Sequence, residues 1–231
     1  VALYVGQHNR DYFEAHGLKD DDLFWVPHAV ENARFKRESG AEKNAEKWRR
    51  ELGISEEDSV VLFAGKLSKT KGPDVLTEAF AGLRHDSVHL VVVGSGPMED
   101  ELRREVGDHP RVHFVGFQNQ SRMPVVYRVC DIFILPSRGE TWGLAVNEAM
   151  ACGRAVVVSD KVGCAPDLVD EKNGAVVPAE EPSALRQALE DLLRDQERVR
   201  EMGHHSAERI SDWTIEEEAV RTEEAVQSVL N

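Results

Sequence analysis

Cysteine is scarce, with only Cys130, Cys152 and Cys164 in the chain. No C-x-x-C pair occurs, and His204 and His205 stand far from any of the three. That excludes the usual zinc spacing and a disulfide framework, and it leads to an expectation of reduced thiols in a cytoplasmic protein. Long hydrophobic runs are missing too. The longest, at 90–93, 132–135 and 155–158, are far too short to span a bilayer. No basic-then-apolar leader opens the chain, so no signal peptide is expected. Basic residues are the third shortage: 28 Lys+Arg stand against 42 Asp+Glu, a net charge of −14. Nucleic acid is therefore an unsuitable partner, because backbone binding needs a basic surface, although a local basic pocket for a phosphate remains possible.

What is present reads as a globular protein. Hydrophobic residues make up 41% of 231 positions, enough chain for a buried core in one domain or two small ones. From residue 59 onward, short β-branched runs alternate with segments of helical period. Val60, Val61, Leu62, Phe63 and Ala64 are apolar throughout, as in a strand covered on both faces. Gly72 and Pro73 then open a helix with Val75, Leu76, Ala79, Phe80 and Leu83 on one stripe. The unit repeats as strand 88–93 and helix 98–106, strand 112–115 and helix 120–129, and strand 132–135 and helix 144–150. It continues as strand 155–158 with a short turn at 166–168, then strand 175–177 with helix 184–193. Such alternation predicts an α/β, doubly wound parallel sheet, with ligands at the carboxyl ends of its strands. Outside it lie strand-like runs at 1–5 and 23–26 around a helical stretch at 9–16, and a charged amphipathic helix at 42–52. A terminal helix is expected through 230, opened by the capping-box spacing of Thr214 and Glu217.

Residues 137–150 are the most informative stretch. A strand ends at Pro136, a Gly-punctuated loop follows, and a helix begins near Gly143. The free amides of Gly143, Leu144 and Ala145, at the positive end of that helix, form an anion site. Glu148 falls one turn past Leu144 on the same face, and Glu140 precedes the helix on the other side. Two carboxylates flanking an anion site suit a phosphorylated, hydroxyl-rich ligand such as a nucleotide-sugar. On spacing alone a solvated Glu140 and an exposed Glu148 are favoured, at roughly two to one.

This stretch resembles the E-x7-E region of the family 4 glycosyltransferases, retaining enzymes of the GT-B fold. Glu140 and Glu148 occupy the two acidic positions, and Ala149, Met150, Ala151, Cys152 and Gly153 follow. Phe63-Ala64-Gly65-Lys66-Leu67 with Lys71-Gly72 resembles the first-strand phosphate loop. Val93-Gly94-Ser95-Gly96-Pro97, Val115-Gly116-Phe117 and Asn173-Gly174-Ala175-Val176-Val177 resemble later strand ends in the same order. The resemblance covers roughly residues 20–215. It implies a Rossmann-like domain, residues 37–212, that forms the donor-binding half of a GT-B enzyme. Residues 1–36 would be a remnant of the amino-terminal domain with the interdomain crossover, and 213–231 a helix crossing back.

The resemblance further implies that Lys66 and Lys71 neutralise the donor diphosphate, aided by the Leu144 and Ala145 amides beside Gly65. Glu148 would bind the ribose, and Glu140 with Thr141, Trp142 and Gly143 the transferred sugar. The base would lie against Gly116, Phe117, Gln118 and Asn119. By the same resemblance Lys66, Lys71 and Glu140 would form the catalytic set. Lysines and helix amides would stabilise the leaving group, with no metal and no cofactor expected. Lys66 stands where the family most often has Arg, which keeps the charge and loses bidentate contact. The donor would be a UDP-, GDP- or ADP-sugar. The acceptor would be held by a missing amino-terminal domain, through which any membrane contact would also run, and this piece would be inactive alone.

Other patterns are weaker. Glu99 replaces the third glycine after Gly94 and Gly96, so a dinucleotide fingerprint is incomplete, and no P-loop spacing is present. Asp20-Asp21-Asp22 contains a D-x-D pattern that reads as a solvated turn. His204 and His205 are expected at the surface, and His28 in a structural role near the domain junction. Trp142 is either a core anchor or a wall of the sugar site. A flavodoxin-like binding module and a GT-B-type epimerase are the alternative functions.

Overall fold

The computed structural model describes residues 1–37 and 40–230. Positions 38 and 39, just inside the expected donor-binding domain, and 231, at the end of the expected crossing helix, lie outside the described residues.

A six-stranded, all-parallel sheet forms the centre, with strands β3 (Ser59–Ala64), β4 (Val88–Val93), β5 (Val112–Gly116), β6 (Ile132–Leu135), β7 (Ala155–Ser159) and β8 (Gly174–Val177). Their spatial order is β5-β4-β3-β6-β7-β8. The chain winds outward one way from β3, returns, and winds the other way from β6. The switch point of a doubly wound sheet therefore lies between β3 and β6, where a ligand crevice opens at the carboxyl ends. β3 shows why both faces are covered: Val60, Leu62 and Ala64 pack into one core and Val61 and Phe63 into the other, following the two-residue period of a strand.

On the first face lie α2 (Asn32–Arg37), α3 (Ala41–Glu51), α6 (Met123–Val129) and α7 (Leu144–Ala151), contributing Phe35, Trp48, Tyr127 and Met150. On the second lie α4 (Pro73–Ala81), α5 (Glu99–Val106), α9 (Pro182–Leu193) and α10 (Gln196–Arg209), contributing Phe80, Leu102, Leu189 and Met202. The expected helix at 120–129 is interrupted. A 3-10 turn spans Gln120–Arg122, capped by the Asn119 side chain, and α6 starts afresh with Pro124 in its first turn. The stretch around Pro166 is itself a short helix, α8 (Ala165–Leu168). Asp20–Asp22 forms an exposed or half-exposed 3-10 turn. His204 and His205 lie exposed on α10.

β1 (Ala2–Tyr4) and β2 (Leu23–Trp25) pair in parallel as a separate sheet around α1 (Gln7–Ala15). Several contacts fasten this segment, and α2 that follows it, to the rest. The Asp167 carboxylate accepts from the Gln7 amide at 3.1 Å, capping α1 from α8. Asn32 donates to the Ile210 and Trp213 carbonyls at 2.9 and 3.0 Å. Trp213 stacks on Trp142 with ring centroids 5.2 Å apart and meets Trp25 edge-on at 5.4 Å. Thr214 caps α11 (Ile215–Leu230) by accepting from the Glu217 amide at 3.1 Å, as the spacing predicts. Among the described residues no helix is long and apolar enough to cross a membrane.

Near the opposite, amino-terminal edge of the sheet, His89 and His113 stack with ring nitrogens 2.9 Å apart, and Asp58 lies 3.4 Å from His89. Burial lowers both imidazole pKa values below the ordinary 6.5, outweighing the pull of Asp58 on His89. Below that pH the unfolded chain binds more protons than the folded one, so stability falls as the medium acidifies. Urea midpoints measured downward from about pH 7.5 should decline through and below about pH 6.5, and His113→Gln should flatten the decline. An equal slope in the variant would refute the assignment. A second expectation concerns Gly94, whose φ of 133° and approach to the Gly65 carbonyl leave no space for a Cβ. Gly94→Ala should cost at least about 2 kcal/mol in denaturant unfolding.

Candidate functional site

At the switch point, two adjoining cavities of about 560 and 420 Å³ open on the carboxyl ends of the strands. They share Ala64, Gly65, Lys66, Leu144 and Ala145. Their common floor is thus the exit of β3 and the first turn of α7.

α7 begins at Gly143, whose φ of 106° a side chain would resist. Among the described residues no side chain caps it. The Val146 amide turns back to the Gly143 carbonyl at 2.7 Å, and the Leu144 and Ala145 amides are left at the helix start. Lys66 lies exposed over this turn and lines both cavities.

Each cavity ends at a carboxylate. In the larger one Glu148 accepts from the Tyr127 hydroxyl at 2.7 Å. Burial raises the Glu148 pKa, with the Tyr127 bond and the charge of Arg34 opposing. Burial also pushes the Tyr127 hydroxyl well above its ordinary range, and the neighbouring Glu148 charge adds to it. Tyr127 is therefore the donor of this pair. The same cavity is lined by Ser95, Phe117, Gln118, Gln120 and Met123. Phe117 is 73% exposed, an aromatic face that the fold leaves uncovered at the edge of this cavity.

In the smaller cavity Glu140 and Lys71 form an ion pair. Burial lowers the Lys71 pKa, and Glu140 provides the counter-charge that a half-buried ammonium requires. Glu140 is held by its backbone, which bridges to Val162 and donates to the Lys161 carbonyl at 3.0 Å. Thr141 and Gly143 line this cavity, as does Trp142. The Trp142 ring is nonetheless 3% exposed, donating to Asn147 at 3.1 Å and stacked on Trp213, so its bulk belongs to the core.

The expected residues Gly65, Lys66, Lys71, Gln118, Glu140, Thr141, Trp142, Gly143, Leu144, Ala145 and Glu148 all line one cavity or the other. Gly116 and Asn119 do not. Gly116 turns the chain out of β5 with φ 70° and accepts from the Gly94 amide at 2.9 Å, while Asn119 is occupied in capping. His28, expected in a structural role, is exposed at the wall of the smaller cavity. Its backbone is fixed by Asn147, which donates to the His28 carbonyl at 3.0 Å. Tyr127 and Asn147 went unread in the sequence. A tyrosine on the inward stripe of α6 and an asparagine among apolar positions of α7 were the available signals. Among the described residues no cluster of three His, Cys, Asp or Glu side chains could hold a metal ion.

Residues 44–209 match the family described as glycosyl transferases group 1. The D-inositol 3-phosphate glycosyltransferase of Corynebacterium jeikeium is 33% identical over 235 residues, covering 95% of this chain and 55% of that protein. The chain spans about half the length of the curated relatives it matches. Among solved structures, Anabaena HepE in complex with UDP superposes with a TM-score of 0.86 at 22% identity, over 98% of this chain and 63% of that one. Sucrose-phosphate synthase from Thermosynechococcus elongatus gives 0.83 at 24% identity, over 99% and 58%. At these identities the structures establish the fold alone, a Rossmann-like α/β fold shared with GT-B glycosyltransferases. The chain belongs to the group 1 glycosyl transferases.

Proposed function

We propose that the two cavities together receive the nucleoside-diphosphate end of a sugar donor. The observation that carries this reading is the shared floor: Lys66 and the opening amides of α7 lie between two cavities, each ending at a glutamate. A pyrophosphate over that floor would meet Lys66 and the Leu144 and Ala145 amides, with Lys71 within the adjoining wall. The ribose hydroxyls would donate to Glu148, and the base would extend over Gln118 toward Phe117. The transferred sugar would lie at Glu140 and Thr141, near His28. The structure of HepE, similar in fold, is a complex with UDP, which supports a nucleotide ligand for this reading.

The chemistry follows from charge. Departure of a diphosphate builds negative charge on its oxygens, and cations fixed in a partly enclosed hollow stabilise that charge without reorganising. Lys71 would exchange Glu140 for phosphate as the donor binds, which frees the Glu140 carboxylate for sugar hydroxyls. In this reading the transfer retains anomeric configuration and uses the lysines in place of a metal. The acceptor is held by a domain outside this chain, so the chain alone transfers little. A reducing, cytoplasmic setting belongs to the same proposal and agrees with three buried, unpaired cysteines.

Isothermal titration with UDP, GDP and ADP tests the reading. At least one should bind in the micromolar to millimolar range, as expected for one wall of a cleft, and Lys71→Ala and Glu148→Ala should each weaken it about tenfold or more. No binding at millimolar ligand would refute it. A pH series gives a second check. The Glu148 carboxylate accepts ribose hydroxyls only when ionised, so affinity should fall on acidification, beginning above the ordinary glutamate range. Tyr127→Phe removes a bond that lowers the Glu148 pKa, so the fall should begin at a higher pH in that variant. Identical profiles would remove Tyr127 from the account.

A further inference from the structure

Arg138 lies in the loop between β6 and α7, two residues before Glu140. Its fork closes on Asp74 with both bonds at 2.8 Å, and Nη1 also donates to the Lys69 carbonyl at 2.7 Å. Nε donates to Glu180 at 2.8 Å, and the Arg138 amide donates to the Thr70 carbonyl at 2.8 Å. Lys69 and Thr70 begin the 3-10 turn Lys69–Lys71, and Asp74 lies in the first turn of α4 just beyond it. One side chain therefore grips the chain on both sides of Lys71. Glu180 is held in the left-handed region, with φ 62°, while its carboxylate meets Arg138. Burial alone would raise the Asp74 pKa, and the Arg138 bonds and charge more than offset it, so the carboxylate stays ionised in a half-buried place.

We infer that Arg138 is a positioning residue that holds Lys71 against Glu140. The stretch from Arg138 to Glu140 is stitched on one side to the Lys69–Lys71 turn and on the other, through Glu140, to the loop around Lys161 and Val162. The separation of ammonium and carboxylate across the smaller cavity is thus set by one short loop. Guanidinium geometry is required for this. A lysine has no planar fork with which to reach both Asp74 oxygens and the Lys69 carbonyl together. The consequence for ligand binding rests on the donor-site reading above, whereas the clamp itself is testable without a ligand.

The first test is acylation of lysine amines by a water-soluble N-hydroxysuccinimide ester, read by peptide mass spectrometry in the full chain. Lys71 should react about fivefold faster in Arg138→Met than in the wild type, with Arg138→Lys intermediate. Lys66, exposed and outside the clamp, should keep its rate and serves as the internal reference. Should Arg138→Met fail to fold by circular dichroism, Asp74→Asn, which breaks the same clamp from its other side, carries the test with the same expected direction. The second test is titration with nucleoside diphosphates and the matching monophosphates. Arg138→Lys should weaken the diphosphate about tenfold and leave the monophosphate unchanged, and in a Lys71→Ala background it should cause no further loss. Unchanged Lys71 labelling in the folded variants overturns the inference. Losses that add in the double variant also overturn it, because Arg138 would then act independently of Lys71. No diphosphate binding by the wild type, together with faster Lys71 labelling in Arg138→Met, refutes the donor site and supports the clamp.

Discussion

Backbone amides that a helix cannot satisfy itself must find an acceptor, and the start of α7 leaves such amides over a hollow. Gly143 turns the chain into the helix in a conformation that side chains avoid, and none of the described residues supplies a side-chain cap. Positive potential is therefore concentrated at the floor shared by the two cavities, and Lys66 adds a full charge beside it. In a chain of net charge −14, these amides and Lys66 are the groups that the proposed donor phosphates would meet.

The sheet determines what surrounds that floor. Because β3 and β6 are neighbours whose chains wind away in opposite directions, the loops after them diverge and leave a crevice. β3 delivers Gly65 and Lys66, and β6 delivers the loop that carries Arg138 and Glu140. Glu148 arrives one turn along α7, where Tyr127 from α6 keeps its carboxylate oriented. The half-buried charges each have a stated counterpart: Lys71 with Glu140, Asp74 with Arg138, and Glu148 with the Tyr127 hydroxyl.

Much of this was legible in the sequence, for identifiable reasons. Strands buried on both faces are nearly continuous apolar runs, so β3, β4, β6 and β7, broken only by Ser59, His89 and Ser159, were readable from the sequence pattern. Pairing of glycine with a following helix pattern located α7 and placed Glu148 one turn inside it, whereas the pairing of Glu140 with Glu148 came from the family resemblance. What was not legible depends on tertiary contact. The break before α6 arises because Asn119 caps a turn that Pro124 then separates from the helix. The same capping withdraws Asn119 from the cavity. Trp142 could be core or wall until Trp213, more than seventy residues later, was seen stacked upon it. His28 required knowledge of where Asn147 anchors its backbone. Periodicity reports which face of an element is covered, but not which distant side chain covers it.

The most direct test of the central claim is a crystal structure of the chain with a nucleoside diphosphate bound. The account predicts phosphate oxygens within about 3 Å of the Leu144 and Ala145 amides and of the Lys66 and Lys71 ammonium groups, with ribose hydroxyls at Glu148. A ligand lodged elsewhere on the sheet edge, or phosphates turned away from the start of α7, would contradict it.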